Sequence, residues 1–170
     1  ATTTGAYSVA VGALALKVNT TGSNVAIGQA AMIANTTGSG NTAVGTYDPV
    51  GGGLQPLKSN TTGHKNTGIG SGALSANTTA VGNVAVGYEA MLATTTQGDN
   101  TALGYQALKV STTGYGCVAV GAYALDANQT ANYNTAVGFS ALTTNTTGAN
   151  NTAVGRIAGQ DNLTGNENVF

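Results

Sequence analysis

The sequence predicts an all-β fold, a repetitive parallel β-solenoid (β-roll) built from 17-residue coils. Three observations predict it. A phrase of the form Asn-(Thr/Val)-Ala-(Val/Ile/Leu)-Gly recurs from end to end, with its glycines at Gly12, Gly28, Gly45, Gly70, Gly87, Gly104, Gly121, Gly138 and Gly155. Successive glycines are 16, 17, 25, 17, 17, 17, 17 and 17 residues apart, and a fixed period of this kind marks a repeat architecture. A unit this short cannot bury its own apolar side chains, whereas a stack of nine can. The expected organisation is one solenoid domain over residues 1–170, with about nine coils and a partial coil at 168–170.

Each position of the coil has a reading, counted here from the anchor glycine. Position −4 is Asn in most coils, including Asn24, Asn66, Asn100 and Asn134, and it becomes Ser8 and Cys117 in two. Equivalent residues of a stack lie one above another at about 4.8 Å, so aligned Asn side chains can hydrogen-bond along the rod. Positions −3 and −1 are β-branched or aliphatic, as Thr135 and Val137 are, with Ala at −2. That alternation is a short strand, and Val137 and its equivalents are expected to fill the coil. The anchor, Gly138 in its copy, releases the chain into a turn where positive φ costs little.

Positions +3 and +4 are Ala-Leu or Ala-Met in most coils, ending in Leu142 in the eighth, and imply a second inward contact. The link before them is either a helical turn or an extended corner. Position +9 is Thr in every coil, Thr147 among them, and Thr4 shares its phase. It belongs to Asn-Thr-Thr-Gly turns, in which Asn and Gly tolerate left-handed backbone, and is expected to form a further ladder. The coil after Gly45 is longer by eight residues, since 25 − 17 = 8. A loop extruded near 46–55 explains this without loss of phase, and solenoid insertions often sit on a binding face.

Composition narrows function by exclusion. Charged residues make up 6% of the chain and the net charge is −1, against roughly 25% charged in typical proteins. The five Lys and Arg are scattered singly, so no basic stripe suits nucleic acid. No apolar run approaches the ~20 residues of a membrane span, and no export signal is visible. Cys117 is alone, so no intrachain disulfide forms. The final Asn168-Val169-Phe170 begins another repeat, which reads as a fragment, a processed product, or an end completed by another chain.

No catalytic, metal or cofactor site is expected. His64 is the only histidine, and Asp48, Glu89, Asp99, Asp126, Asp161 and Glu167 occupy different phases of the coil. Gly68-Ile69-Gly70-Ser71-Gly72-Ala73 fits a dinucleotide fingerprint only on the surface, since it opens no helix. Asn19, Asn35, Asn60, Asn77 and Asn145 head glycosylation-type Asn-x-Thr triplets that the turn also demands. The candidate recognition residues are Tyr47 and Asp48 in the insertion and the corner tyrosines Tyr88, Tyr105 and Tyr123, since exposed Tyr offers rigid contact area.

The phrases Ser8-Val9-Ala10-Val11-Gly12 and Asn24-Val25-Ala26-Ile27-Gly28 closely resemble the head repeats of trimeric autotransporter adhesins. The longer form, 134–142 followed by Asn145-Thr146-Thr147-Gly148, looks like related repeats of phage tail-fibre and bacterial surface proteins. The resemblance spans nearly the whole chain. It implies a left-handed β-roll that associates side by side as a trimer, on a bacterial surface or a virion. The expected function is therefore a non-enzymatic extracellular fibre or adhesin module, whose partners are copies of itself and a cell-surface glycan or protein receptor. The alternatives are a self-assembling filament subunit and, on the strength of the threonine row, an ice-binding solenoid.

Overall fold

The structure, a computed structural model, describes residues 7–50 and 52–170; Thr4 of the threonine row and Gly51 of the insertion lie outside the described residues. It is a β-solenoid. Nine three-residue strands, β1 (Val9–Val11), β2 (Val25–Ile27), β3 (Thr42–Val44), β4 (Thr67–Ile69), β5 (Val84–Val86), β6 (Thr101–Leu103), β7 (Val118–Val120), β8 (Thr135–Val137) and β9 (Thr152–Val154), form one parallel sheet in chain order. No helix occurs among the described residues. Register is kept throughout: Ala26 lies opposite Ala43, and Ala43 opposite Gly68. The insertion does not disturb this, because it leaves the coil after β3 and closes on itself through an antiparallel bridge between Asp48 and Leu54.

The strand faces opposite to the expected sense. Ala at −2 points inward and is fully buried from Ala26 to Ala153, whereas the −3 and −1 side chains point out. Val137 does not fill its coil; Ala136 does, with Leu142 and Ala141 of the opposite wall. The reason is the thinness of the interior. A Cβ on Gly68 would lie 3.1 Å from Ala73 O and 3.3 Å from Leu57 Cγ, so the sheet side has room for a methyl and no more. The large apolar residue of each coil therefore comes from +4: Leu16, Met32, Leu57, Leu74, Met91, Leu108, Leu125 and Leu142, all fully buried. Each contributes about 1.5–3 kcal/mol by burial.

The segment joining anchor and Ala-Leu is neither a helical turn nor an extended corner. It is left-handed at alternate residues: Glu89, Gln106, Tyr123 and Ser140 at +2 have φ of 54°, 55°, 60° and 52°, and Leu108, Leu125 and Leu142 at +4 have φ of 53°, 52° and 49°. Left-handed backbone disfavours non-glycine residues. Stacking compensates, because the +4 amide donates to the next coil, as Leu108 N does to Ala124 O at 3.0 Å and Leu125 N to Ala141 O at 3.0 Å.

Two asparagine rows run through the interior. In the expected −4 row, Asn24 Oδ1 accepts the Asn41 backbone N–H at 3.0 Å, and the same bond recurs from Asn66 to Asn83 and from Asn134 to Asn151. The second row, at +7, comes from the residues read as turn formers. Asn35 Nδ2 donates to Asn19 Oδ1 at 2.6 Å and Asn60 Nδ2 to Asn35 Oδ1 at 2.7 Å. Both rows also donate to the +10 carbonyl: Gly148 O accepts Asn134 Nδ2 at 2.7 Å and Asn145 Nδ2 at 2.8 Å. Buried polar groups must be paired, and this pairing closes each coil on itself while tying it to its neighbours.

Candidate recognition surface

The coil offers three outward surfaces. The first is the outside of the sheet, where −3 and −1 form two parallel rows over nine strands. The −1 row is wholly aliphatic, from Val11 through Ile27, Ile69 and Leu103 to Val154, and neither row carries a charge. Val154 is 62% exposed and Val11 55%.

The second surface begins at the next corner and adjoins the first. It holds most of the predicted recognition residues. Tyr88 and Tyr105 stack with centroids 5.4 Å apart, Tyr123 meets Tyr105 edge-on at 5.3 Å, Phe139 meets Tyr123 at 5.9 Å, and Arg156 sits 5.9 Å above Phe139. One aromatic residue per coil over four coils thus makes a ladder, with each ring spent largely on its neighbours. Tyr105 and Phe139 are exposed, and Tyr88 and Tyr123 are half-buried.

Asp48 reaches this ladder from the insertion. Tyr88 donates its hydroxyl to Asp48 Oδ2 at 3.1 Å, and that bond, with burial and nearby carboxylates, pushes the Tyr88 phenol up to about 12. Ser71 Oγ donates to Leu54 O at 3.1 Å and Lys58 Nζ to Gly53 O at 3.4 Å. The loop is therefore pinned across the corners of the following coils. Its tip presents Val50 almost wholly to solvent, with Tyr47 exposed beside it.

Under the aromatic ladder lies a charged cluster that sequence reading missed. Glu89 pairs with Lys109 at 2.8 Å and accepts Gln106 Nε2 at 2.7 Å. Burial alone would raise the Glu89 carboxyl, but the bonds from Lys109 and Gln106 outweigh it and hold it below its ordinary value. The same pairing raises the Lys109 ammonium. Asp126, one coil beyond Lys109, is pushed up by burial. The signal was present as a spacing: Glu89 and Gln106 are 17 residues apart, and so are Lys109 and Asp126.

The third surface carries the threonines. All nine at +9 are exposed, and several donate their backbone N–H to the next coil, as Thr37 N does to Thr61 O and Thr62 N to Thr78 O, both at 3.2 Å. Their neighbours at +8 add side-chain bonds: Thr36 Oγ1 donates to Thr61 O at 3.0 Å, Thr61 to Thr78 O at 3.1 Å and Thr146 to Leu163 O at 3.1 Å. The +9 row is a single file, because the +8 hydroxyls are already used between coils. His64 lies on the same side and accepts the Ser39 backbone N–H on Nδ1 at 3.0 Å. Among the described residues no group of three or more His, Cys, Asp and Glu could hold a metal ion, and no helix is long and apolar enough to cross a membrane.

No family model, no curated protein and no solved structure matches the chain.

Proposed function

We propose that this chain is a non-enzymatic rod module of an extracellular fibre or adhesin. Copies pack side by side through the outer face of the sheet, and the attachment contacts lie on what that packing leaves free. The observation that carries the reading is the uncharged −3/−1 surface, an aliphatic and threonine stripe along all nine coils with the aromatic ladder at its border. Interface cores are depleted in charge and enriched in aromatic residues and Arg, which this border supplies in Tyr105, Phe139 and Arg156. The resemblance to trimeric adhesin heads supports three copies and a place on a bacterial surface or virion. Association places several copies of one weak receptor contact on one rod, where avidity multiplies them. The insertion is the best-formed contact, since Tyr47 and Val50 are exposed on a loop that Asp48 fixes in place. Its partner is a cell-surface glycan or protein.

Sedimentation over a wide concentration range tests the association. A trimer that persists on dilution is expected, and Val120→Lys with Val137→Lys should give monomers that keep their far-ultraviolet dichroism. A wild-type chain that is monomeric throughout overturns the reading. Growth into polymers with concentration favours the filament alternative.

A further inference from the structure

Both interior asparagine rows are interrupted at the same level of the rod. In the +7 row, Thr94 and Ser111 follow Asn77 where other coils have Asn, and in the −4 row Cys117 takes the Asn position beside Ser111. These two sites adjoin in the same way as Asn134 and Asn128, whose side chains lie 3.4 Å apart one coil later. All are fully or almost fully buried.

An asparagine at +7 does two things with its Nδ2. It donates to the Oδ1 of the preceding coil and to the +10 carbonyl of its own, as Asn35 does to Asn19 Oδ1 at 2.6 Å and to Gly38 O at 3.1 Å. Thr94 can do neither, since its hydroxyl donates to Ser111 O at 3.2 Å. Asn77 Oδ1 is in consequence buried with no donor, and so is Ser111 Oγ with no partner. The carbonyls that would take the second bond, Gln97 O and Gly114 O, each accept one Asn Nδ2, from Asn83 at 2.8 Å and Asn100 at 3.0 Å. A carbonyl has two lone pairs, so each can take one more donor.

We infer that two ordered waters occupy the solenoid interior here, each standing in for an asparagine Nδ2. The first donates its two hydrogens to Asn77 Oδ1 and Gln97 O, which is the pair of bonds Asn makes elsewhere. The second accepts from Ser111 Oγ and donates to Gly114 O. Thr and Ser are shorter than Asn, and the sites are polar on several sides, as buried waters require. A direct bond and a water-bridged one differ little in enthalpy, so the row keeps its pairing across the interruption.

The test is a crystal structure of the intact chain at atomic resolution, beside the double variant Thr94→Asn/Ser111→Asn. Two well-ordered waters in these positions are expected in the native chain. In the variant they are replaced by Asn Nδ2 groups, and it melts about 2–4 °C higher or more. A dry interior, or Asn77 Oδ1 bonded to a protein donor, overturns the inference. If the variant does not fold, oxygen-17 relaxation dispersion on the native chain decides the matter. Long-lived internal waters uphold the inference, and their absence ends it.

Discussion

The backbone N–H of Cys117 donates to Asn100 Oδ1 at 2.9 Å, and the amide row changes character there. The next coil's Asn134 N–H faces a sulfur instead of an amide oxygen, and the oxygen bond resumes from Asn134 to Asn151 at 2.9 Å. Sulfur is the weaker acceptor. Cys117→Asn should therefore restore the row and stabilise the chain by about 1 kcal/mol, seen as a rise of about 2–4 °C in melting temperature at fixed protein concentration. No gain, or a loss, would mean that the cysteine site has closed too far to admit an amide.

Anchor glycines and the glycines five residues before an anchor separate steric from conformational cost. Gly138 has φ of 141°, and a Cβ there would collide with the backbone carbonyl of Gly155 in the next coil, which the sheet register holds in place. Gly138→Ala should cost about 3 kcal/mol or more. Gly116 has φ of 65°, and its Cβ would meet only the Tyr133 ring, at 2.7 Å. That ring is exposed and moves aside by giving up its edge-on contact and hydroxyl bond with Tyr115, and other coils hold Lys65, Asp99 and Asn150 left-handed at this position. Gly116→Ala should cost about 1 kcal/mol. Chemical denaturation of both variants checks the ratio.

The period and the in-phase insertion were legible because they depend on spacing alone, and spacing survives any choice of which side faces inward. The facing of Val137 was not legible. Alternation defines two faces without naming the inner one, and the usual weighting puts Val inside. Only the 3.1 Å approach at Gly68 shows why Ala must be there instead. The burial of Asn145 was not legible for a similar reason: Asn-Thr-Thr-Gly is ordinary turn chemistry, and turn chemistry says nothing of which side chain faces inward. The Glu89–Lys109 pair joins positions +2 and +5 of adjacent coils. Comparing one position at a time down the stack does not bring those two together.

Asp126 gives a pH dependence. Burial raises its carboxyl, and Oδ1 is buried without a donor. A carboxyl whose folded pKa lies above its unfolded value, near 3.9, stabilises the fold most below the unfolded pKa. That contribution is lost as pH rises through the folded one. At neutral pH the native chain therefore bears a cost that Asp126→Asn removes. The variant should melt above wild type at pH 7 and lose that advantage as the pH drops below the range where free aspartate titrates. Paired melting curves from pH 3 to 8, a range set around the ~3.9 reference, check the sign. An advantage unchanged by pH would place the effect in packing.

Asn19, Asn35, Asn60, Asn77 and Asn145 head Asn-x-Thr triplets, yet all five are fully buried. The Nδ2 of Asn60, Asn77 and Asn145 donates to the previous coil's Oδ1, at 2.7, 2.5 and 3.2 Å. A glycan on Nδ2 would replace one of those donors and carry a bulky polar chain into an interior that admits a methyl on its sheet side. Each buried polar group so deprived costs about 2–7 kcal/mol, which is of the order of a whole domain's stability. Glycosylation and folding at these sites should therefore exclude each other. Incubated with an oligosaccharyltransferase and its donor, the folded chain should show no glycan on these five asparagines in a peptide map, any added mass falling at acceptors such as the exposed Asn150, while an unfolded peptide bearing the Asn145 triplet is modified. A chain found by mass spectrometry to carry a glycan on Asn145 and still melt cooperatively at the native temperature would refute the buried amide row at that coil.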